Sequence, residues 1–251
     1  MNKAQVSETI EEEQKERREY VKNIGIEYRY GCYEEKKPDT CHVLGEYLEA
    51  IDLSFAKAYQ IFKDNCEERK FPRSCFKYAM YTLAGKECEA SLKNTIEPLT
   101  VSCEGKVPPG CRYLSLVYWN GEPDRKPDSK LAEHYMKKAC DMEDAEACWL
   151  LSTWYINSDS MKIAVKGVKN PSSEVNRDKL GRLEKDMEKA LKYAKLACDL
   201  NIPQSCLNAA RILKIGDGVA KDLDAAKLYL DKAKAMNEMI KKGKNATGFT
   251  G

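Results

Sequence analysis

The sequence predicts an all-α protein, an α/α solenoid of about five helical hairpins joined by disulfide bonds. Ten of the eleven cysteines fall into five pairs with seven or eight residues between the members, and the second members recur after 34, 36, 37 and 58 residues. A period in the thirties is typical of helical repeat proteins, and the value of 58 indicates one repeat with an insertion of about twenty residues. The pairs are Cys32 and Cys41, Cys66 and Cys75, Cys103 and Cys111, Cys140 and Cys148, and Cys198 and Cys206.

The helix predicted to begin at the second cysteine of each pair is named the A helix. The five segments read CHVLGEYL, CFKYAMYT, CRYLSLVY, CWLLSTWY and CLNAARIL. Their apolar residues recur at i, i+3, i+6 and i+7, which is the pattern of an amphipathic helix. The fifth residue is always small, so that a neighbouring helix can approach closely: Gly45, Ala79, Ser115, Ser152 and Ala210. Gly85, Gly121 and Gly216, ten residues past the cysteine, predict helix ends.

The helix predicted to end at the first cysteine of each pair is named the B helix. Two of its positions repeat: Ala58, Thr95, Ala132 and Ala190 stand eight residues before the cysteine, and Phe62, Leu99, Met136 and Ala194 stand four before it. Pro98 predicts a kinked or shortened second B helix. The last B helix, from about Leu223 to Lys241, is expected to turn its apolar side toward the fifth A helix, with Ala226, Leu230, Ala233 and Met236.

The chain divides into three predicted parts. Residues 1–19 form an acidic segment that is flexible or the start of a helix, and residues 242–251 form a tail. The solenoid covers residues 20–241, with an N-terminal helix followed by repeats from about 41, 75, 111, 148 and 206. Residues 157–184, rich in Pro, Ser, Asn and Lys, predict an exposed loop inserted in the fourth repeat.

The cysteine spacing favours structural cross-links over metal or redox chemistry. Within one helix, eight or nine residues span about 12 Å, beyond the reach of a disulfide, so each pair can bond only if the chain turns between its members. Asn201 to Pro203 and Val107 to Gly110 supply such turns. The last B helix has Lys234 at the cysteine position, with no later A helix to join. We therefore predict five disulfide staples, each linking a B helix to the next A helix, and Cys88 as the one free thiol. No C-x-x-C motif is present, so zinc-ribbon and thioredoxin-like sites are not indicated.

Composition excludes several classes of function. The formal net charge is +2, from 42 basic and 40 acidic residues, which does not indicate binding to nucleic acid. No apolar run approaches the roughly 20 residues of a membrane span, and the Glu-rich start lacks the apolar core of a secretory signal. Many cysteines without such a signal call for an oxidising compartment outside the secretory pathway.

Three segments carry a resemblance to a known family: YGCYEEKKPDTCHVLGEYLEAI, KDNCEERKFPRSCFKYAMY and ACDLNIPQSCLNAARILKIGDGV. They resemble Sel1-like repeats in the cysteine-rich form of the bacterial Hcp proteins. From about residue 20 to 240 the chain is similar to eukaryotic members of this family that reside in the mitochondrial intermembrane space. The resemblance implies five helix-linking disulfides and import through the disulfide relay of that compartment. It also implies a role in assembling respiratory complexes, chiefly cytochrome c oxidase and in addition complex I.

Two kinds of function remain open at this point. The first is a non-enzymatic scaffold whose concave face binds proteins through aromatic residues of the A helices. The candidates are Tyr47, Tyr81, Tyr118, Trp119, Trp154 and Tyr155. The alternative is a thiol–disulfide reductase acting on copper-delivery proteins of oxidase assembly, with haem as a conceivable cofactor.

The sequence offers few residues for the reductase. Haem would need His42, His134, a methionine or Cys88 as axial ligand. His42 is expected to be a surface residue at a helix start. Cys88 lies between Glu87 and Glu89, which does not favour a reactive thiolate. The scaffold is therefore the preferred interpretation, with neither cofactor nor metal expected.

Overall fold

The computed structural model describes the backbone of residues 3–121, 125–156 and 181–246, and the side chains of residues 11–121, 125–156 and 181–242. These residues form eleven α-helices and one 3₁₀ turn. The chain divides into two compact units, Met1–Gly105 and Lys106–Gly251. The predicted all-α solenoid of disulfide-joined hairpins is confirmed. In the described part of the chain, no helix is long and apolar enough to cross a membrane.

The first unit contains two A helices between three B helices. Its elements are α1 (Lys3–Tyr33), α2 (Pro38–Ala50), α3 (Phe55–Glu67), α4 (Pro72–Ala84), the 3₁₀ turn (Lys93–Thr95) and α5 (Ile96–Glu104). The acidic segment and the predicted N-terminal helix are thus parts of one helix, α1. Consecutive helices pack against each other, and Gly25 of α1 lies directly against the ring of Tyr47 on α2.

The second unit contains three A–B hairpins. Its elements are α6 (Pro108–Trp119), α7 (Ser129–Asp141), α8 (Ala145–Ile156), α9 (Met187–Asp199), α10 (Pro203–Ile215) and α11 (Leu223–Ala246). Of the predicted insertion, residues 157–180 lie outside the described residues. The chain rejoins the hairpins at Gly181, whose N–H donates to the carbonyl of Trp119 at 2.7 Å, and at Asp186, whose N–H donates to the carbonyl of Tyr155 at 3.0 Å.

The A helices begin three residues before their cysteines, earlier than the sequence analysis placed them. The reason is local chemistry in the first turn. Four of the five open with a proline, whose missing N–H costs nothing there: Pro38, Pro72, Pro108 and Pro203. In α8 the Asp144 carboxylate instead accepts from the N–H of Ala147 at 2.9 Å. Aspartate caps three B helices in the same way, at Asp128, Asp186 and Asp222.

The helix ends follow the sequence signals with one exception. Gly85 and Gly216 adopt the left-handed conformation, with φ of 63° and 76°, and end α4 and α10 as predicted. Gly121 does not end its helix in this way. The helix α6 already ends at Trp119, and Gly121 lies against Pro127 without a left-handed φ. Pro98 shortens α5 to nine residues, against 13 for α3, which confirms the predicted break.

The repeated positions form the core of each unit. The eight B-helix positions predicted from the repeat are all fully buried: Ala58, Phe62, Thr95, Leu99, Ala132, Met136, Ala190 and Ala194. In α11 the prediction holds for Ala226, Ala233 and Met236, which are buried. It is wrong for Leu230, which is 38% exposed, because Tyr229 rather than Leu230 lies on the helix face that packs against α10.

Candidate interaction surface and disulfide staples

The disulfide bonds lie at the junctions between B and A helices. Cys32–Cys41, Cys66–Cys75, Cys140–Cys148 and Cys198–Cys206 are bonded, with Cα atoms 4.5 to 4.8 Å apart. Cys103 and Cys111 are disulfide-bonded as well. Cys32, at 7%, is the most exposed of the ten. The staples are therefore inside the packed structure, where structural rather than exchangeable disulfides are expected.

Each stapled turn contains one residue other than glycine in the left-handed conformation. These residues, with φ between 50° and 66°, are Lys36, Lys70, Lys106, Glu143 and Asn201. In four of these turns the residue that follows donates its N–H back to the end of the B helix, as Phe71 does to the carbonyl of Asn65 and Ile202 to that of Ala197. This reversal of the chain brings the two cysteines together, and it satisfies carbonyls that the helix end would otherwise leave unpaired.

Cys88 is the free cysteine, and it is half-buried between α4 and the 3₁₀ turn. Its Sγ donates to the backbone carbonyl of Tyr81 at 3.7 Å. Burial, together with the neighbouring Cys88, raises the pKa of Tyr59. All eleven cysteines belong to the described residues, so no second free thiol stands near Cys88 as a resolving partner.

Four of the six aromatic candidates for partner binding are buried, so for them a surface role does not hold. Trp119 and Trp154 stack with centroids 3.7 Å apart, and each is at most 1% exposed. Tyr155 stacks on Tyr193 of α9, and Tyr81 donates its hydroxyl to Glu49. The physical reason is that aromatic rings at these A-helix positions fill the space between neighbouring helices.

Two of the candidates, Tyr47 and Tyr118, keep part of their surface in solvent. The structure adds Tyr113 of α6 and Trp149 of α8, which are also half-buried. Tyr113 lies two residues after Cys111, and Trp149 lies one residue after Cys148. Neither residue lies at a position of the apolar pattern, so the pattern did not predict them. The residues just after the cysteine vary in type from repeat to repeat, and this variation was the available signal.

His42 is buried, contrary to the surface position expected from the sequence. Only 2% of the residue is exposed, and its ring packs between Phe62 and Phe71. Its Nδ1 lies 3.1 Å from the Ser74 hydroxyl, which also accepts from the Asn65 amide at 2.8 Å. Burial lowers the pKa of His42 to about 4, despite the nearby carboxylates. The histidine is neutral at physiological pH and part of the core.

The remaining residues named for a haem or metal site do not form one by geometry. His134 is exposed on α7 and contacts Tyr135 edge-on, with centroids 5.1 Å apart. His42 Nε2 faces Glu46 at 3.5 Å, so both of its ring nitrogens have neighbours in the protein. Among the described residues, no group of three or more His, Cys, Asp and Glu side chains is placed to hold a metal ion.

Comparison with known proteins places this architecture in a family. The Sel1 repeat model matches residues 108–144, 179–202 and 203–238. Cytochrome c oxidase assembly factor 7 of Xenopus tropicalis is 35% identical over 231 residues, covering 90% of this chain and 91% of the relative. The chain belongs to the cytochrome c oxidase assembly factor 7 family. The Drosophila melanogaster homolog is 31% identical over 92% of this chain, and the Homo sapiens member is 31% identical over 89%.

Solved structures show that this chain shares its fold with bacterial Sel1 repeat proteins. The c5321 protective antigen of uropathogenic Escherichia coli, described as having an SLR fold, superimposes with a TM-score of 0.63 at 19% identity. That match covers 83% of this chain and 40% of the antigen. A Sel1 repeat protein of Oxalobacter formigenes gives 0.62 at 17% identity, covering 84% and 83% of the two chains.

Proposed function

We propose that this chain is an assembly factor for cytochrome c oxidase that works as a disulfide-stabilised, protein-binding solenoid. The observation that carries the proposal is the similarity to relatives of that name at 31–35% identity. The similarity covers about 90% of both chains, so the full set of hairpins is shared rather than one repeat. The same proposal includes a role in the assembly of complex I.

The cysteines support a location in the mitochondrial intermembrane space. Ten bonded cysteines require an oxidising compartment, since cytosolic thiols are kept reduced. A loop of this length contributes about 2–3 kcal/mol when it is closed by a disulfide. Five such contributions are comparable to the whole stability of a domain, so oxidation by the disulfide relay of the compartment would be a condition for folding.

Binding, rather than catalysis, is the activity that the described surface supports. The half-buried rings of Tyr47, Tyr113, Tyr118 and Trp149 offer apolar area on A helices, and aromatic residues are favoured anchors at interfaces. The reductase alternative needs a reactive thiol with a partner. Cys88 donates to a backbone carbonyl and has no second thiol, so a reductase would have to open one of its own buried staples.

Complementation tests the proposal. Human cells that lack the family member should regain assembled cytochrome c oxidase on native gels when this chain is expressed and directed to mitochondria. The complex I band on the same gels tests the further role. The variant Cys88→Ser should complement equally, because the thiol has no part in the scaffold mechanism. Failure of a folded, correctly located chain to restore the oxidase would contradict the proposal, and loss of activity in Cys88→Ser alone would favour the reductase.

A further inference from the structure

An open groove of about 810 Å³ runs along α7 in the second unit. Four lysines line it: Lys106, Lys130, Lys137 and Lys138. The residues that α7 contributes recur every three or four positions between 130 and 141 and therefore share one side of the helix. At 1.5 Å per residue the groove follows roughly 17 Å of helix.

The groove has a local excess of positive charge. Glu133, one of its two acidic residues, accepts from the Tyr155 hydroxyl and lies 3.7 Å from the Lys137 ammonium. Lys106, Lys130 and Lys138 form no ion pair within the residues that the structure describes, and Asp141 is the other carboxylate. The four lysines and two carboxylates of the groove sum to a formal charge of +2, which equals the formal charge of the entire chain.

We propose that this groove binds an acidic, extended peptide segment of a partner protein. Five or six extended residues at about 3.3 Å each span its length. The ammonium groups of Lys106, Lys130 and Lys138, unpaired among the described residues, can pair with carboxylates of the peptide. The aliphatic stems of the lysines and Met142 can contact apolar side chains between those carboxylates. The lysines line a depression, which an extended chain can enter and a flat bilayer surface cannot.

The proposal deepens the proposed function and rests on it for the biological identity of the partner, but the groove can be tested alone. A fluorescein-labelled six-residue peptide in which glutamate alternates with leucine serves as the probe, and fluorescence anisotropy with the full oxidised chain at low salt measures affinity. Lys130→Glu combined with Lys138→Glu should weaken binding at least tenfold. The matched control is Lys214→Glu with Lys227→Glu, exposed lysines of the same unit outside the groove, which should change binding less than twofold.

Several outcomes would overturn the groove as a peptide site. Equal weakening by both charge-reversal pairs would show attraction to net charge only, and equal binding of a glutamine-for-glutamate probe would show that carboxylates are not recognised.

Other outcomes would assign a different ligand to the groove. If the chain binds anionic phospholipid vesicles but not the peptide, and the groove variant abolishes vesicle binding, the ligand is a membrane. If sedimentation shows a dimer that the groove variant dissociates, the occupant is a second copy. Peptide binding together with failed complementation would contradict the proposed function but not the groove.

Discussion

The hydroxyl of Ser152 on α8 donates a hydrogen bond to the backbone carbonyl of Ala190 on α9 at 2.9 Å. Ser115 on α6 donates to the carbonyl of Ala132 on α7 in the same way. Both serines are fully buried at the small fifth position of their A helices. Close approach of two helix backbones, which the sequence pattern predicted, is thus fixed by a hydrogen bond as well as by size.

Replacing Ser152 by valine should destabilise the second unit by about 2–3 kcal/mol, since the change removes a buried hydrogen bond and adds volume where two backbones meet. Ser152→Ala, which removes only the hydrogen bond, should cost about 1 kcal/mol. Urea unfolding followed by circular dichroism measures both. Thr153→Val is the control, because its hydroxyl bonds within its own helix. If Ser152→Val lowers the unfolding free energy no more than Ser152→Ala does, the two helix backbones are not closely packed at this position.

At the equivalent position in the first unit, Gly45→Ala should destabilise despite the higher helix propensity of alanine. A Cβ atom at this position would overlap the ring of Phe62, which is fully buried. We expect a net cost of about 2 kcal/mol, of the size seen for overpacking.

A double-mutant cycle with Phe62→Leu tests this contact. In the Phe62→Leu background the smaller side chain leaves room for the Cβ atom, so Gly45→Ala should cost less than about 0.5 kcal/mol there. An equal cost in both backgrounds would assign the effect to the helix backbone rather than to the ring.

The sequence predicted the structural features that recur from repeat to repeat, and it missed features that belong to a single repeat. The positions of Ala132 and Met136 recur before the first cysteine of four pairs, where each hairpin packs on its neighbour by the same geometry, so their burial there follows from the pattern. Leu230, at the matching position of α11, is the exception. Exposure of a single ring depends on the neighbour across the helix pair, and Trp119 is buried because Trp154 stacks on it. His42 was misplaced for the same reason, since its partner Ser74 lies 32 residues away in the next A helix.

Stability of the first unit should fall between pH 6.5 and 4 because of His42. Its pKa is about 4 in the folded protein, below the usual histidine value of about 6.5, since burial disfavours the charged ring. In this range the unfolded chain binds a proton that the folded chain does not, so stability is fully present above pH 6.5 and is lost as the pH falls toward 4. The loss attributable to this group is up to roughly 3 kcal/mol.

Variants separate the effect of His42 on stability from that of the charged groups around it. Glu46, Glu49, Arg73 and Lys77 surround the histidine and set the local background. His42→Asn keeps a polar group beside Ser74 but cannot titrate, so its unfolding free energy should depend less on pH between 6.5 and 4. His134→Asn, at the exposed histidine, should keep the wild-type slope. Identical slopes in all three proteins would mean that another group causes the acid sensitivity.

Lys36→Gly should stabilise the first unit by about 0.5–1 kcal/mol. Lys36 has a φ of 54° in the turn closed by Cys32–Cys41, a conformation that costs about 1–2 kcal/mol for residues with a Cβ atom. The gain is partly offset by the greater freedom of glycine in the unfolded chain. Lys37→Gly is the matched control: Lys37 has a φ of −72°, so glycine should destabilise there. Thermal unfolding compares the two, and a loss at both positions would show that the turn is not strained.

The last helix, α11, should exchange its amide hydrogens faster than the stapled B helices. It carries Lys234 where α7 and α9 carry the bonded Cys140 and Cys198, and its side chains from 237 to 242 are all exposed. It contacts the preceding staple through a cluster that contains Ala233 and Met236, in which Met236 Sδ lies 3.9 Å from Cys206 Sγ. Among the described residues, α11 packs mainly against α10, whereas α7 packs against α6 and α8 and α9 packs against α8 and α10. Local opening of α11 therefore costs less free energy.

Hydrogen exchange with mass spectrometry should show weaker protection at residues 226–236 than at 132–139. Cys198→Ser combined with Cys206→Ser removes one staple, and a loss of about 2–3 kcal/mol should bring the exchange of α9 toward that of α11. Lys234→Cys should leave α11 unchanged, because no bonded partner is placed opposite it in the described residues. Equal protection of α11 and α7 in the wild-type chain would mean that packing alone, and not the staples, sets local stability along the repeats.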